Sequence, residues 1–224
     1  KYGNPTIKRI YGDWTNPHLV KWKNVLLENA ITPIQQYGYT TGKNATDSAM
    51  IIDAMDILYS GKVEGFCIVS SDSDFTRLAT RLREAGMQVI GIGERKTPNP
   101  FIVACDKFIY VEILKTRTDK KDVGDGKTSS KDSDDAITSR EIKLIETSIS
   151  DISDEDGWAF LGDVGSLIQK KLPNFDSRNY GFAKLTPLIK SIGRFELELR
   201  DSPKSKHKLI YVKNKEKGAG RSKK

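Results

Sequence analysis

The feature that most restricts the fold is a regular alternation of strand-like and helical segments over residues 1–114. Runs rich in β-branched and aromatic residues alternate with stretches whose apolar side chains recur at helical spacing. The expected strands are residues 6–11, 31–37, 65–70, 87–92 and 107–114, and the expected helices begin at Pro17, Thr46 and Phe75. This order predicts an α/β domain with a mostly parallel sheet flanked by helices.

One of these strands is apolar throughout. Residues 65–70 read GFCIVS, a composition typical of a parallel strand that is covered on both faces. The loop after it carries Asp72 and Asp74. Ligands of open α/β sheets bind at the carboxyl ends of the strands. We therefore expect this loop to belong to the functional site.

The two carboxylates of this loop lie two positions apart, so both can point into the same space. They repel each other unless a cation or a helix N-terminus compensates. In a simpler alternative, Asp74 caps the helix that begins at Phe75 and Asp72 is solvated. Asp47 is expected in the first turn of another helix at the same edge, which favours a shared site. All-oxygen ligation favours Mg²⁺ or Mn²⁺ and hydrolysis of a phosphodiester by a metal-activated water.

Charge and composition exclude several classes of protein. The net charge is +7, but residues 213–224 alone carry six Lys/Arg and one Glu, and such a tail binds polyanions weakly and without specificity. Two cysteines and two histidines leave no zinc cluster and no Cys/His nucleophile pair. No apolar run approaches the roughly 18 residues that span a bilayer. We expect a protein of the reducing cytoplasm, without a membrane partner, whose oligomeric state stays open.

The rest of the chain forms a linker, a second domain and a tail. Residues 115–137 are polar and rich in Lys, Asp and Ser, which predicts a flexible linker. Thr138 and Glu141 fit a capping box that opens a helix. Further helices are expected at residues 161–171 and 178–192, followed by a hairpin of FELELR and KLIYV. This pattern predicts a small α+β winged-helix domain over residues 138–213, with a basic tail at 214–224.

Four segments together resemble bacterial NYN-domain proteins of the LabA-like group. They are YGDW (11–14), PIQQYGYTTGKNATDSAMIIDAMDIL (33–58), CIVSSDSDF (67–75) and GIGERKTPNPFIVACDKFIYVE (91–112). The resemblance covers essentially all of residues 1–114. It implies a PIN-like nuclease, in which acidic residues at one sheet edge bind a divalent metal and cut RNA.

The resemblance also assigns roles to single residues. The acids that fall on catalytic and metal-binding positions are Asp47, Asp72 and Asp74. Ser71 falls on a small polar position of the family that orients substrate or metal. Apart from the resemblance, Lys43 and Asn44 are candidates for phosphate contacts because they precede Asp47, and a solvated loop is the alternative for both. Asp53 and Asp56 recur in the family motif as well. They follow Asp47 by six and nine residues, so on a helix their side chains face away from that of Asp47, which indicates a structural role.

One departure from the family pattern concerns the N-terminus. Family members begin with a strand that ends in Asp, commonly Asp-x-x-Asn, ahead of the YGDW region, whereas this chain starts at Lys1. We expect the natural reading frame to extend upstream and to encode this central strand. An endoribonuclease activity is then expected when that strand is present.

The segment EDGWAFLGDVGSLIQKKLPNFDSRNYGFAKLTPLIKSIGRFELE (155–198) resembles the OST-HTH, or LOTUS, domain. Members of that family bind RNA, and some bind a helicase partner instead. The candidate RNA contacts are Lys170, Lys171, Arg178, Tyr180 and Lys184. The aromatic residues expected in the domain core are Trp158, Phe160, Tyr180 and Phe182.

The sequence favours a metal-dependent ribonuclease with an RNA-binding appendage. The main alternative is a catalytically silent RNA-binding or scaffold protein. A phosphatase of the haloacid dehalogenase type is a third reading, because DSDFT (72–76) matches DxDxT after a strand. That fold needs a second acidic loop after another strand, and the polar segment before VGDG (123–126) is no strand.

Overall fold

The computed structural model of the chain describes residues 2–37, 45–115, 136–201 and 208–215. The chain divides into two compact units, of which the first comprises residues 1–90 and 97–105 and the second comprises residues 91–96 and 106–224. Most of the expected linker, the hairpin turn and the basic tail lie outside the described residues.

The N-terminal half is an α/β structure. Its strands are β1 (Arg9–Gly12), β2 (Thr32–Gln35), β3 (Gly65–Val69), β4 (Gln88–Gly93) and β5 (Lys107–Tyr110). Its helices are α1 (Lys23–Glu28), α2 (Ala45–Tyr59), α3 (Thr76–Glu84), α4 (Asn99–Ala104) and α5 (Val111–Lys115). β1 and β2 pair in parallel, and β3, β4 and β5 form a second sheet in that order. The predicted fold class, a parallel sheet flanked by helices, is confirmed.

Local capping and burial explain these elements. Asn16 opens a 3-10 helix (Pro17–Trp22) that runs into α1, and its side chain accepts a hydrogen bond from the His18 amide, as the Asn-Pro pair predicts. Farther along, α3 places an apolar stripe of Leu78, Ala79 and Leu82 in the core. Val89 of β4 is also fully buried. The first unit is thus built around the helix that follows the acidic loop.

Three expectations for this half need correction. Strand β5 ends at Tyr110, and residues 111–114 belong to α5 rather than to a strand. The β-branched residues there are outweighed by tertiary contacts, since Glu112 accepts a hydrogen bond from the Arg95 amide at 3.1 Å. Helix α4, with a proline at its start, was not predicted. Finally, β3 is not covered on both faces by the described residues: Ile68 is buried, whereas Val69 is 68% exposed.

The C-terminal part of the second unit is a winged-helix domain. Its helices are α6 (Ser139–Ile152), α7 (Leu161–Lys171) and α8 (Leu185–Ile192), and its strands are β6 (Trp158–Phe160), β7 (Phe195–Asp201) and β8 (Lys208–Asn214). The three strands form a sheet in the order β6-β8-β7, with antiparallel pairing of β8 to both neighbours. The residues that form its buried core include Ile145, Val164, Ile168, Leu188, Ile189 and Val212.

Helix starts and stops in this domain follow local signals. The predicted capping box is confirmed, because the Thr138 hydroxyl accepts from the Glu141 amide and the Glu141 carboxylate accepts from the Thr138 amide. The helix predicted over residues 178–192 is wrong in its first part. A 3-10 helix (Ser177–Tyr180) ends at Gly181, whose φ of 79° lies in the left-handed region, and α8 begins only after this break.

An anchored carboxylate joins α2 to β1. The Asp53 side chain accepts hydrogen bonds from the Arg9 guanidinium and, at 2.5 Å, from the Tyr11 hydroxyl. Burial raises the pKa of Asp53, but the hydrogen bonds from Tyr11 and Arg9 outweigh it and hold the pKa below its ordinary value. Burial and the bond to Asp53 raise the pKa of Tyr11 to about 12. Asp53 thus has a structural partner, as its helical offset predicts, while Asp56 is exposed.

The described residues contain no helix that is long and apolar enough to cross a membrane. The longest helix of the α/β part, α2 (Ala45–Tyr59), also carries three aspartates, Asp47, Asp53 and Asp56, along its length.

Replacing Asp53 by Ala should lower the free energy of unfolding by about 1–3 kcal/mol, because the Arg9 guanidinium and the Tyr11 hydroxyl lose their partly buried acceptor. Chemical denaturation followed by circular dichroism measures this change. Asp56→Ala is the matched control, since it removes an exposed carboxylate from the same helix and should change stability by no more than about 0.5 kcal/mol. Equal effects of the two substitutions would contradict the anchor.

Candidate functional site

The acidic loop is ordered by hydrogen bonds along its own backbone. After β3 ends, the Ser70 hydroxyl accepts a hydrogen bond of 3.1 Å from the Asp72 amide. Asp72 Oδ1 then accepts one of 2.9 Å from the Asp74 amide. Asp72 is therefore the cap of the 3-10 helix Ser73–Phe75. The simpler alternative, in which Asp74 caps the helix and Asp72 is only solvated, is wrong on the identity of the cap.

The loop is fixed to the core by the residues that follow it. The 3-10 helix runs directly into α3, and Phe75 between them is only 4% exposed. The Thr76 hydroxyl donates a hydrogen bond of 2.5 Å to the carbonyl oxygen of Ser73. Asp72 and Asp74 are themselves exposed. The two carboxylates thus stand in solvent on a segment whose far end is buried.

Asp47 lies in the first turn of α2 and is half-buried. Burial raises the pKa of Asp47, and the negative charges of Asp72 and Asp74 raise it further. Side chains from two different helix starts, 25 residues or more apart in sequence, are therefore close enough to interact electrostatically. This repulsion is the kind of arrangement that a bound cation relieves.

The side chains of this site suit a divalent cation in their chemistry but not in their grouping. Their donor set is made of carboxylate oxygens, which Mg²⁺ and Mn²⁺ prefer, and burial together with the charges of Asp72 and Asp74 raises the pKa of Asp47. Within residues 2–37, 45–115, 136–201 and 208–215, no three His, Cys, Asp or Glu side chains are grouped closely enough to hold a metal ion as they stand. The oxygen atoms of these side chains therefore fit Mg²⁺ or Mn²⁺ chemically, but the side chains are too far apart to surround an ion as they stand.

The candidate substrate contacts are only partly visible. Lys43 and Asn44 lie outside the described residues. Ser71 is half-buried beside the acidic loop and takes part in an interaction of its own. Sequence reasoning missed Ser70, whose hydroxyl holds the Asp72 amide. The signal for it was the Ser-x-Asp spacing, since a serine hydroxyl commonly binds the backbone two residues onward.

The candidate RNA contacts of the C-terminal domain fall into two groups. Lys170 and Lys184 are exposed. Lys171 binds the Asp151 carboxylate at 2.6 Å and the Ser148 hydroxyl at 3.2 Å. Arg178 and Tyr180 are engaged within the domain, the first by two hydrogen bonds of 2.9 and 2.6 Å to the Asp176 carboxylate and the second by one of 2.5 Å to Glu141.

The aromatic residues of this domain also separate into two sets. Tyr180 and Phe182 pack against the buried core, as predicted. Trp158 and Phe160 do not belong to that core, and the prediction is wrong for them. Ala159 between them is buried, so β6 turns both rings to the opposite face of its sheet, where each is half-buried.

A cation lies on that outer face. The Arg200 guanidinium carbon is 5.1 Å from the centre of the Trp158 ring and 4.6 Å from that of the Tyr211 ring. The same guanidinium binds Glu198 at 3.0 Å. Stacking of this kind stabilises the sheet by about 0.5–1 kcal/mol per exposed pair. These contacts give Trp158 a partner outside the core, and the Phe160 ring lies 6.0 Å from the Tyr211 ring, measured between ring centres.

Comparison with known proteins identifies both parts of the chain. The NYN domain model matches residues 1–113, and the OST-HTH/LOTUS domain model matches residues 135–207. No curated protein matches the chain. It is similar to an uncharacterized protein of Nitrosomonas europaea solved by NMR, with 31% identity, coverage of 44% of this chain and 93% of that chain, and a TM-score of 0.36. It is also similar to a protein of unknown function from Vibrio parahaemolyticus, with 20% identity, coverage of 47% and 68%, and a TM-score of 0.41.

Replacing Asp72 by Asn should lower the pKa of Asp47, because one of the two repelling charges is removed while burial and the charge of Asp74 remain. A carbon-detected NMR titration of the Asp47 carboxyl in metal-free protein measures the change. Asp56→Asn removes an exposed carboxylate farther along α2 and should leave the Asp47 titration where it is. If the pKa of Asp47 were the same in the Asp72→Asn protein, the two carboxylates would not be close enough to interact.

Proposed function

Because the chain belongs to the NYN domain family and carries an OST-HTH/LOTUS domain behind it, we propose that it is a metal-dependent ribonuclease that hydrolyses phosphodiester bonds of RNA. Both families associate the chain with nuclease and RNA-binding functions. The observation that carries the proposal is the packing of α2, which begins with Asp47, against the 3-10 helix of the acidic loop, and the charges of Asp72 and Asp74 accordingly raise the pKa of Asp47.

In this proposal the three acids hold the cation. Asp72 commits Oδ1 to the Asp74 amide, which leaves Oδ2 as its donor atom. Asp47 and Asp74 complete the set from the first turn of α2 and from the loop. When bound, Mg²⁺ or Mn²⁺ activates water and neutralises charge that develops on the scissile phosphodiester. Ser70 positions Asp72, because its hydroxyl holds the Asp72 amide.

The remaining site residues serve the substrate. Lys43 and Asn44 precede α2, and Ser71 lies beside Asp72, so all three are proposed as contacts to the phosphate and sugar of the RNA. No histidine lies near these residues in sequence, and proton transfer is therefore assigned to the carboxylates or to solvent. Cys67 and Cys105 form no disulfide, which accords with a reducing cytoplasm, and we include this location in the proposal.

The C-terminal domain is proposed to bind the RNA that the N-terminal domain cuts. Lys170 and Lys184 are the best-placed contacts, because both are exposed. Arg178 and Tyr180 are proposed to act mainly by shaping the domain, since each is hydrogen-bonded within it. Binding of a helicase or another RNA-processing protein through this domain is the other outcome that its family membership allows.

A catalytically silent RNA-binding or scaffold protein is the second candidate. The observation that favours it is that the part of the chain described here holds no ready-made group of three metal-ligating side chains. Cleavage of RNA that depends on added Mn²⁺ separates this candidate from the first.

Replacing Asp72 or Asp74 by Asn should reduce Mn²⁺-dependent cleavage of a mixed set of single-stranded RNAs by roughly 100-fold or more, since loss of a ligand removes about 3 kcal/mol of transition-state stabilisation. Cleavage of labelled RNA with Mn²⁺ and with chelator measures the rate. Asp56→Asn is the matched control and should keep the full rate. If folded Asp72→Asn protein cleaved RNA at the full rate, the acids would have no part in the reaction. If neither the unsubstituted chain nor its variants cleaved RNA, the catalytically silent candidate would be favoured.

Replacing both Lys170 and Lys184 by Ala should weaken binding of the preferred RNA and reduce the slope of log affinity against log salt by about 0.7 for each lost phosphate contact. Fluorescence anisotropy in catalytically inactive Asp72→Asn protein measures both quantities. Lys143→Ala removes an exposed lysine from α6 and serves as the control. If affinity and slope both stay constant in the double variant, the RNA lies elsewhere and protein docking becomes the better account.

A further inference from the structure

Among the described residues, strand β5 has one edge that no strand of its sheet covers. It lies at the end of the order β3-β4-β5. Such an edge presents unpaired backbone groups and invites pairing with another chain unless it is covered. Here the Phe108 amide on β5 donates a hydrogen bond of 2.9 Å to the carbonyl oxygen of Pro173. Pro173 lies in the loop between α7 and the 3-10 helix of the OST-HTH domain, and both residues belong to the second unit.

The contact extends along the strand through side chains. Asn174 Nδ2 donates a hydrogen bond of 2.8 Å to the Tyr110 hydroxyl. At the other end of β5, Lys107 acts on Asp176. Burial raises the pKa of Asp176, the bonds and charge of Arg178 lower it, and the charge of Lys107 adds to the lowering. The four-residue strand therefore meets residues 173–176 through a backbone amide, a hydroxyl and a positive charge.

The loop that meets β5 is held in shape by the domain that carries it. Asn179 Nδ2 donates a hydrogen bond of 2.9 Å to the Asn174 carbonyl oxygen. Asp176 caps the following 3-10 helix by accepting from the Arg178 amide at 3.0 Å. Phe175 lies in the core of the domain and is 4% exposed. Because these bonds lie within the domain, the surface is formed before it meets the strand.

We propose that residues 173–176 are a docking surface for the chain's own strand β5, so that the OST-HTH domain is held on this strand and not tethered by the linker alone. Three features of the surface fit this partner: the Pro173 carbonyl for the Phe108 amide, Asn174 for the Tyr110 hydroxyl, and Asp176 for Lys107. A proline has no amide to donate, so it covers the edge without extending the sheet as a new strand would.

This docking surface does not depend on whether the chain cuts RNA. It changes what the linker does, because residues 115–137 then connect two parts of the second unit that already touch, strand β5 and the OST-HTH domain. It also gives a physical role to the LPNFD segment of the C-terminal domain (172–176), which the expected RNA contacts do not use.

Hydrogen exchange of the Phe108 amide in the full chain tests the proposal. The amide should be protected, and Tyr110→Phe or Asn174→Ala should each speed its exchange several-fold to about tenfold, because each removes one partner of the same hydrogen bond. The double variant should exchange no faster than the faster single variant. Asn214→Ala is the matched control: Asn214 bonds to Glu146 and Ser150 within the domain, and its loss should leave Phe108 unchanged.

A second measurement does not rely on the folding of any variant. A protease site placed within residues 116–135 allows the linker to be cut in the folded full chain. The two halves should then remain together in size-exclusion chromatography at micromolar concentration. Separation of the halves after cutting, or exchange of the Phe108 amide at the rate of an unstructured peptide, would overturn the proposal.

Discussion

The candidate site depends on one hydrophobic anchor. Phe75 ends the short 3-10 helix that Asp72 caps, and it is buried together with the Leu78 and Leu82 side chains of α3. Burial of such side chains contributes about 1.5–3 kcal/mol each, more than the two hydrogen bonds of the acidic loop provide. Packing of the core therefore positions Asp72 and Asp74, and the hydrogen bonds to Ser70 and within the loop determine the local backbone conformation. If this anchor were lost, the loop would keep its acids but not their place beside α2.

Helix α2 shows how environment separates chemically identical side chains. Burial and the charges of two other acids raise the pKa of Asp47, whereas hydrogen bonds from Tyr11 and Arg9 hold that of Asp53 below its ordinary value against the effect of burial. The Asp47 carboxylate is thus in an unfavourable electrostatic environment, whereas the Asp53 carboxylate is stabilised by its two hydrogen-bond donors. Perturbation of this kind is concentrated where proteins bind ions or act on substrates. The first turn of α2 thus carries the acid of the proposed site, whereas Asp53, farther along the helix, anchors α2 to β1.

The C-terminal domain uses its polar residues mainly to define its own shape. Arg178 and Tyr180, which the sequence offers to RNA, are hydrogen-bonded to Asp176 and Glu141. The segment that these bonds support meets strand β5, so the residues that look most like ligand contacts support a contact inside the chain. The exposed lysines then provide the charge available to a nucleic acid.

The features that could be predicted from the sequence are those that depend on neighbouring residues. The order of strands and helices, the Asn16 cap, the capping box at Thr138 and the place of Asp72 after a strand were all predictable, because each depends on residues a few positions apart. The end of β5 at Tyr110, the exposed face of β3 and the place of Trp158 outside the core were not. Each of these is set by contacts between residues far apart in sequence, such as Arg95 with Glu112 or Arg200 with Trp158. The sequence thus determined which elements form and where the acids stand along the chain, and only the tertiary structure decided which faces are covered and which side chains meet, because burial and long-range pairing exist only once the chain is folded.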